Sequence, residues 1–208
     1  MTRRFAETGV SAPREQSEDM VYINQRLSAL LAAPMILLLG AAAPPAAENF
    51  TAQGALIPPP DYREWVFLTS GLDMSYSDAP AVAGMSMFDN VFVDPSAWRA
   101  FKASGHWPEG SVFILENRTS SSKGSINKHG SFQTSSVMGL EAHVKDSSRF
   151  RGGWGFFDLS DGKPAKQIPY SAACYSCHEA HGAVQTTFTQ FYPTAKPIAV
   201  KAGTYLDR

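Results

Sequence analysis

Five consecutive residues near the C-terminus carry a complete piece of chemistry. Cys174-Tyr175-Ser176-Cys177-His178 is a C-x-x-C-H run. At this spacing two thiols add across the two vinyl groups of a haem, and the next histidine sits under the iron as proximal ligand. Cys174 and Cys177 are the only cysteines in 208 residues, so no thiol is left for a structural disulfide. Residues three apart on a helix face one side, and His178 follows at once, so all three side chains can meet one flat cofactor. Two other chemistries share the pattern: a redox dithiol and half of a zinc site. A dithiol needs no histidine at that position. A zinc site on Cys174, Cys177 and His181 lacks an evident fourth ligand nearby.

The iron's sixth position decides between functions. A second protein ligand makes an electron carrier, and an open site makes a gas binder or an enzyme. The candidates are Met74, Met85, Met87, Met138, His129, His143 and His181. His181 is three residues past His178 on the same predicted helix and cannot reach the opposite haem face. His143 alternates onto the polar face of its strand.

Covalent haem of this type is attached outside the cytoplasmic membrane, and the N-terminus reads as an export signal. Leu27 to Gly40 is strongly apolar, follows Arg26 and precedes a run of Ala and Pro. That is the order of a secretory leader, with an uncleaved membrane anchor as the alternative. Removing residues 1–47 takes away four basic and four acidic residues and leaves the net charge at −1. The expected location is periplasmic. A balanced charge carries no electrostatic footprint for nucleic acid.

The elements that must position the motif are mostly strands. Apolar content of 44% and charged content of 18% suit one soluble domain with a core. Residues 48–60 read as a linker ending in three prolines, 61–194 as the haem domain and 195–208 as a C-terminal tail. Asp61 to Trp65 predicts a short helical turn before a strand at Val66 to Leu68. Residues 70–84 read as a loop. Met87 to Val93 predicts a strand. Asp94-Pro95 starts a helix, with Asp as N-cap and Pro at the first position, and Gly105 ends it. Trp98 and Phe101 share its buried side. Ser111 to Glu116, Ser131 to Val137, Gly139 to Lys145 and Trp154 to Leu159 predict further strands. In Gly139 to Lys145, Leu140, Ala142 and Val144 alternate with Glu141, His143 and Lys145. A helix capped by Ser171 is expected to run through the motif to about Phe191. The fold class is therefore α+β, predominantly antiparallel sheet, with the haem-attachment motif on a C-terminal helix.

The stretch from Cys174 to Ala183, followed by Phe188-Thr189-Gln190-Phe191-Tyr192-Pro193, resembles the C-terminal block of the cytochrome P-460 and cytochrome c′-beta family. Asp61 to Val66 resembles its opening block. Val91 to Pro95, Gly139 to Ala142 with Val144 to Asp146, and Gly153 to Phe157 resemble its middle. The resemblance covers about residues 55–194, in order. It implies a mostly antiparallel fold, often a homodimer, one haem c with His178 proximal, and a distal face without a strong protein ligand. Some members oxidise hydroxylamine with a lysine joined covalently to the porphyrin, and others lack that lysine and bind nitric oxide or similar gases. By this alignment Leu115 stands in the lysine's place, and Lys123 and Lys128 lie only in the adjacent loop. Glu141 matches a carboxylate that the oxidising members place near the distal pocket and is the candidate catalytic residue. Phe88, Phe92, Phe113 and Leu115 are expected to line an apolar distal wall. Such a wall admits neutral diatomics and disfavours anions and water. The expected partners are a small gaseous or nitrogenous ligand and a redox partner cytochrome.

Overall fold

Strand periodicity builds the scaffold. The structure, a computed structural model, describes residues 49–75, 86–124, 126 and 128–208. Five strands form one antiparallel sheet: β1 (Val66–Leu72), β2 (Met87–Val93), β3 (Val112–Ser121), β4 (Phe132–Lys145) and β5 (Trp154–Asp158). Their spatial order is their chain order, so each strand pairs with its sequence neighbours. Three helices accompany the sheet: α1 (Pro95–Ser104), α2 (Ala173–His181) and α3 (Lys196–Ala202). The predicted turn before β1 is a short 3-10 helix, Tyr62–Glu64.

Side chains alternate across the sheet, and each face carries its own core. Val112, Ile114, Ala142, Val144 and Phe157 cover one face together with Phe50, Leu56, Phe150 and Leu159. Leu68, Val93, Phe113 and Trp154 cover the other, against Ala97 and Phe101 of α1 and Ala199 of α3. Full burial of a side chain such as Phe157 or Ile114 contributes about 1.5–3 kcal/mol. The register is continuous where the cleft will lie: Val91 pairs with Leu115, and Leu115 with Glu141.

Helix α1 forms as its sequence signals predict. The Asp94 carboxylate accepts from the Ala97 N–H at 2.8 Å, Pro95 opens the helix, and Gly105 closes it at φ 71. A side chain at Gly105 would run into Ala202 of α3, so this glycine serves both the turn and the close approach.

Several expectations need correcting. The segment read as a linker is part of the body: Phe50 and Leu56 are buried, and Leu56 exchanges backbone hydrogen bonds with Ala165. The segment read as a tail contains α3, whose Ala199 is buried. The two strands expected over 131–145 are one, β4. The expected helix over 171–191 ends at Gly182, so the motif lies on the penultimate helix. Ala172, not Ser171, is its N-cap, without a side-chain hydrogen bond. The leader, Met85 and most of the 70–84 loop lie outside the described residues. Among the described residues no helix is long and apolar enough to cross a membrane.

Candidate functional site

A cleft of about 270 Å³ separates the face of the sheet bearing Phe113 from the segment that follows α2. The sheet supplies Asp89 and Val91 from β2, Phe113 and Leu115 from β3, Glu141 and His143 from β4, and Phe156 from β5. These alternate residues share one face by strand geometry. Facing them are His178, Phe188, Phe191 and Tyr192. Phe113, Leu115 and Glu141 thus meet as the sequence predicts. Phe88 and Phe92 do not. They occupy even positions of β2, whose side chains point to the opposite face, and Phe92 packs there against Tyr62 and Phe67 at ring distances of 5.8 and 5.7 Å. The wall is apolar at Val91, Phe113 and Leu115 but carries two carboxyl groups as well.

Helix α2 presents the motif because its buried residue is pinned. The Tyr175 hydroxyl accepts from the Phe156 N–H at 3.3 Å and from Gln167 Nε2 at 2.8 Å, and donates to the Ile168 carbonyl at 3.1 Å. Its ring stands edge-on to Phe156. This anchor fixes the helix against β5. Cys174 and Cys177 are both free thiols and half-buried. Burial pushes the Cys174 thiol above its ordinary range, the reverse of what an attacking redox dithiol requires. Among the described residues no group of three or more His, Cys, Asp or Glu side chains is placed to hold a metal ion.

His178 is oriented by one hydrogen bond. Its Nδ1 lies 2.8 Å from the Thr186 carbonyl, so Nδ1–H donates and Nε2 keeps a free lone pair. The ring packs on Phe188 at 4.2 Å and stands edge-on to Phe156 at 4.7 Å. Burial pushes its pKa down, against the opposing effect of the Thr186 carbonyl. A neutral imidazole with Nε2 available is the form that binds iron.

His143 is not on a solvent face. It is 8% exposed and stacks on Phe156 at 4.1 Å with the planes 9° apart. Burial drives its pKa well down, and His178 adds to the effect. Its Nε2 is buried without a hydrogen-bond partner among the described residues. The strand alternation holds, but the face taken as polar is the cleft wall. Of the other sixth-ligand candidates, Met74 reaches the cleft, at an exposed rim; Met87, Met138, His129 and His181 do not line it.

Glu141 lines the cleft and remains open to solvent. Desolvation first, then the charges of Asp158 and Asp89, push its carboxyl up. Asp89 also lines the cleft, as its alternation with Val91 on β2 requires, though no motif marks it. Burial raises its pKa against a hydrogen bond from Asn117 Nδ2 at 2.6 Å, and Asp73 raises it further. Among the described residues no lysine lines the cleft, and Leu115 stands where the resemblance places one.

The residues present fit a haem. Two free thiols and an imidazole with an available Nε2 sit on one helix, beside a cleft walled by Val91, Phe113 and Leu115. Residues 59–189 match the family model described as Cytochrome P460. No curated protein matches the chain.

Proposed function

The chain belongs to the cytochrome P460 family, a family of haem-binding cytochromes, and on that premise we propose that it is an exported c-type cytochrome that binds nitric oxide or a similar small ligand. The observation that carries this reading is the His178–Thr186 hydrogen bond beside a cleft walled by Val91, Phe113 and Leu115. Cys174 and Cys177 would each add a thiol S–H across a vinyl group. A carbon–sulfur bond forms, the hydrogen goes to the neighbouring carbon, and no oxidant is consumed. His178 Nε2 would hold the iron from one side. The haem supplies the bond to the ligand and a one-electron couple.

The chain's own residues set the selectivity. Phe113, Leu115 and Val91 exclude water and disfavour anions, because an unpaired charge on an apolar wall is poorly solvated. Glu141 and Asp89, if ionised, repel anions further. A neutral diatomic meets neither penalty.

Glu141 and Asp89 also support a second reading, oxidation of hydroxylamine or another reduced nitrogen compound, since a carboxyl with a raised pKa can relay protons. Leu115 in place of a cross-linking lysine weighs against it. Periplasmic location, a redox partner cytochrome and a homodimer belong to the proposal. Phe67 and Met138, both about half exposed, are surfaces a second copy would cover.

Intact mass and visible spectra of the purified protein test these readings. The expected mass is the polypeptide plus one haem, and the reduced protein exposed to nitric oxide should give a nitrosyl spectrum. A six-coordinate haem inert to nitric oxide would overturn the first reading. Turnover of hydroxylamine with an electron acceptor would establish the second.

A further inference from the structure

We infer that Gln185 and Thr186 are positioning residues for the His178 imidazole, held in a strained turn by Trp107. The inference rests on the reading of His178 as iron ligand.

Gln185 and Thr186 are consecutive non-glycine residues in the left-handed region, at φ 48 and 64. For a β-branched threonine this backbone is costly and persists only where its surroundings over-determine it. The surroundings here do so. Gln185 Oε1 accepts from the backbone N–H of Trp107 at 2.6 Å. The Trp107 indole N–H donates to Thr187 Oγ1 at 3.1 Å, and that hydroxyl donates to the Val184 carbonyl at 2.7 Å. The Thr187 N–H closes the turn on the same carbonyl at 2.8 Å. Trp107 is itself immobilised, 1% exposed and stacked on Phe101 at 3.8 Å. On the other side the turn lies directly on Gly182, where a Cβ would stand 2.5 Å from the Thr186 Cα.

All these restraints converge on the Thr186 carbonyl, the acceptor for His178 Nδ1–H. Rotating Thr186 back to an ordinary φ swings that carbonyl about the N–Cα bond and away from the imidazole. Donation from Nδ1–H makes Nε2 a stronger donor to iron and fixes the ring plane. A residue 71 positions before the ligand in the chain, Trp107, therefore sets how firmly and how electron-richly His178 would hold its metal.

The test uses the haem-loaded protein and reads the reduction potential and the iron–histidine stretching band. Gln185→Ala removes the acceptor for the Trp107 N–H. It should raise the potential and move the band to lower frequency. Gln185→Glu keeps an accepting oxygen and should restore both. Leu56→Ala, in the core on the far face of the sheet, should lower the midpoint and leave both readouts alone. Wild-type readouts in Gln185→Ala, or equal shifts in Leu56→Ala, would overturn the inference while the functional reading stands. A wild-type chain without covalent haem would overturn both.

Discussion

The rings of His143 and His178 stand 4.8 Å apart, edge to face at 72°. Two imidazoles in direct contact pack as one unit, so His143 would support the His178 ring rather than hold the iron itself. Its buried Nε2 then costs free energy without contributing a bond to the metal.

Replacing that nitrogen by carbon gives the first prediction. His143→Phe should leave the absorption spectrum and coordination number unchanged. It should stabilise the protein by about 1 kcal/mol, the cost of an unsatisfied buried polar group, measured by denaturant unfolding. A spectral change on this substitution would restore His143 as a ligand.

Glu141 gives a pH dependence with a defined sign. Its folded-state pKa is raised above the ordinary 4.5 by desolvation and by Asp158 and Asp89. The folded state therefore holds the proton more tightly than the unfolded chain. This contribution to stability is full below pH 4.5 and is lost as pH rises through the raised value. Glu141→Gln should flatten this segment of the unfolding midpoint against pH and be the more stable protein at neutral pH.

Glu116 should behave in the opposite way. It is buried on the far face, where Tyr62 donates to it at 2.5 Å, Arg63 lies at 2.7 Å and Arg118 forms an ion pair. Burial pushes its carboxyl up, but the hydrogen bonds from Arg118 and Tyr62 and the charges of both arginines outweigh it, and the pKa is lowered from 4.5. Its contribution is full above pH 4.5 and is lost as pH falls through the lowered value. Glu116→Gln should cost about 1–3 kcal/mol at neutral pH, because the half-buried Arg118 loses its charged partner and keeps only the Thr134 carbonyl. The acid limb of the stability profile should become shallower.

Leu56 tests whether the N-terminal lead belongs to the domain. It is 1% exposed in the far core. Leu56→Ala should cost about 2–5 kcal/mol, read from the urea midpoint, whereas a true linker residue would move it by less than about 0.5 kcal/mol.

The strands and α1 were legible because each has a local signal. Val91 and Val93 alternate, Asp94-Pro95 caps, and Gly105 stops. Phe113, Leu115 and Glu141 came together because period two and one family resemblance placed them. Phe88 and Phe92 failed because two aromatics on a strand suggest a pocket, while register alone decides the face. His143 failed for a related reason: a strand face that pairs Glu with His reads as solvent, yet here it faces a cleft. The Gln185–Thr186 turn left no sequence signal at all. Neither residue favours a left-handed backbone, and the restraint comes from Trp107, distant in the chain.

The strand order β1 to β5 also has a consequence in time. Pairing only between chain neighbours keeps each loop closure short and its entropy cost small. The cysteine-bearing helix follows all five strands in the chain, so pairing of the sheet requires no residue of it and the thiols can stay accessible while the wall of the cleft forms.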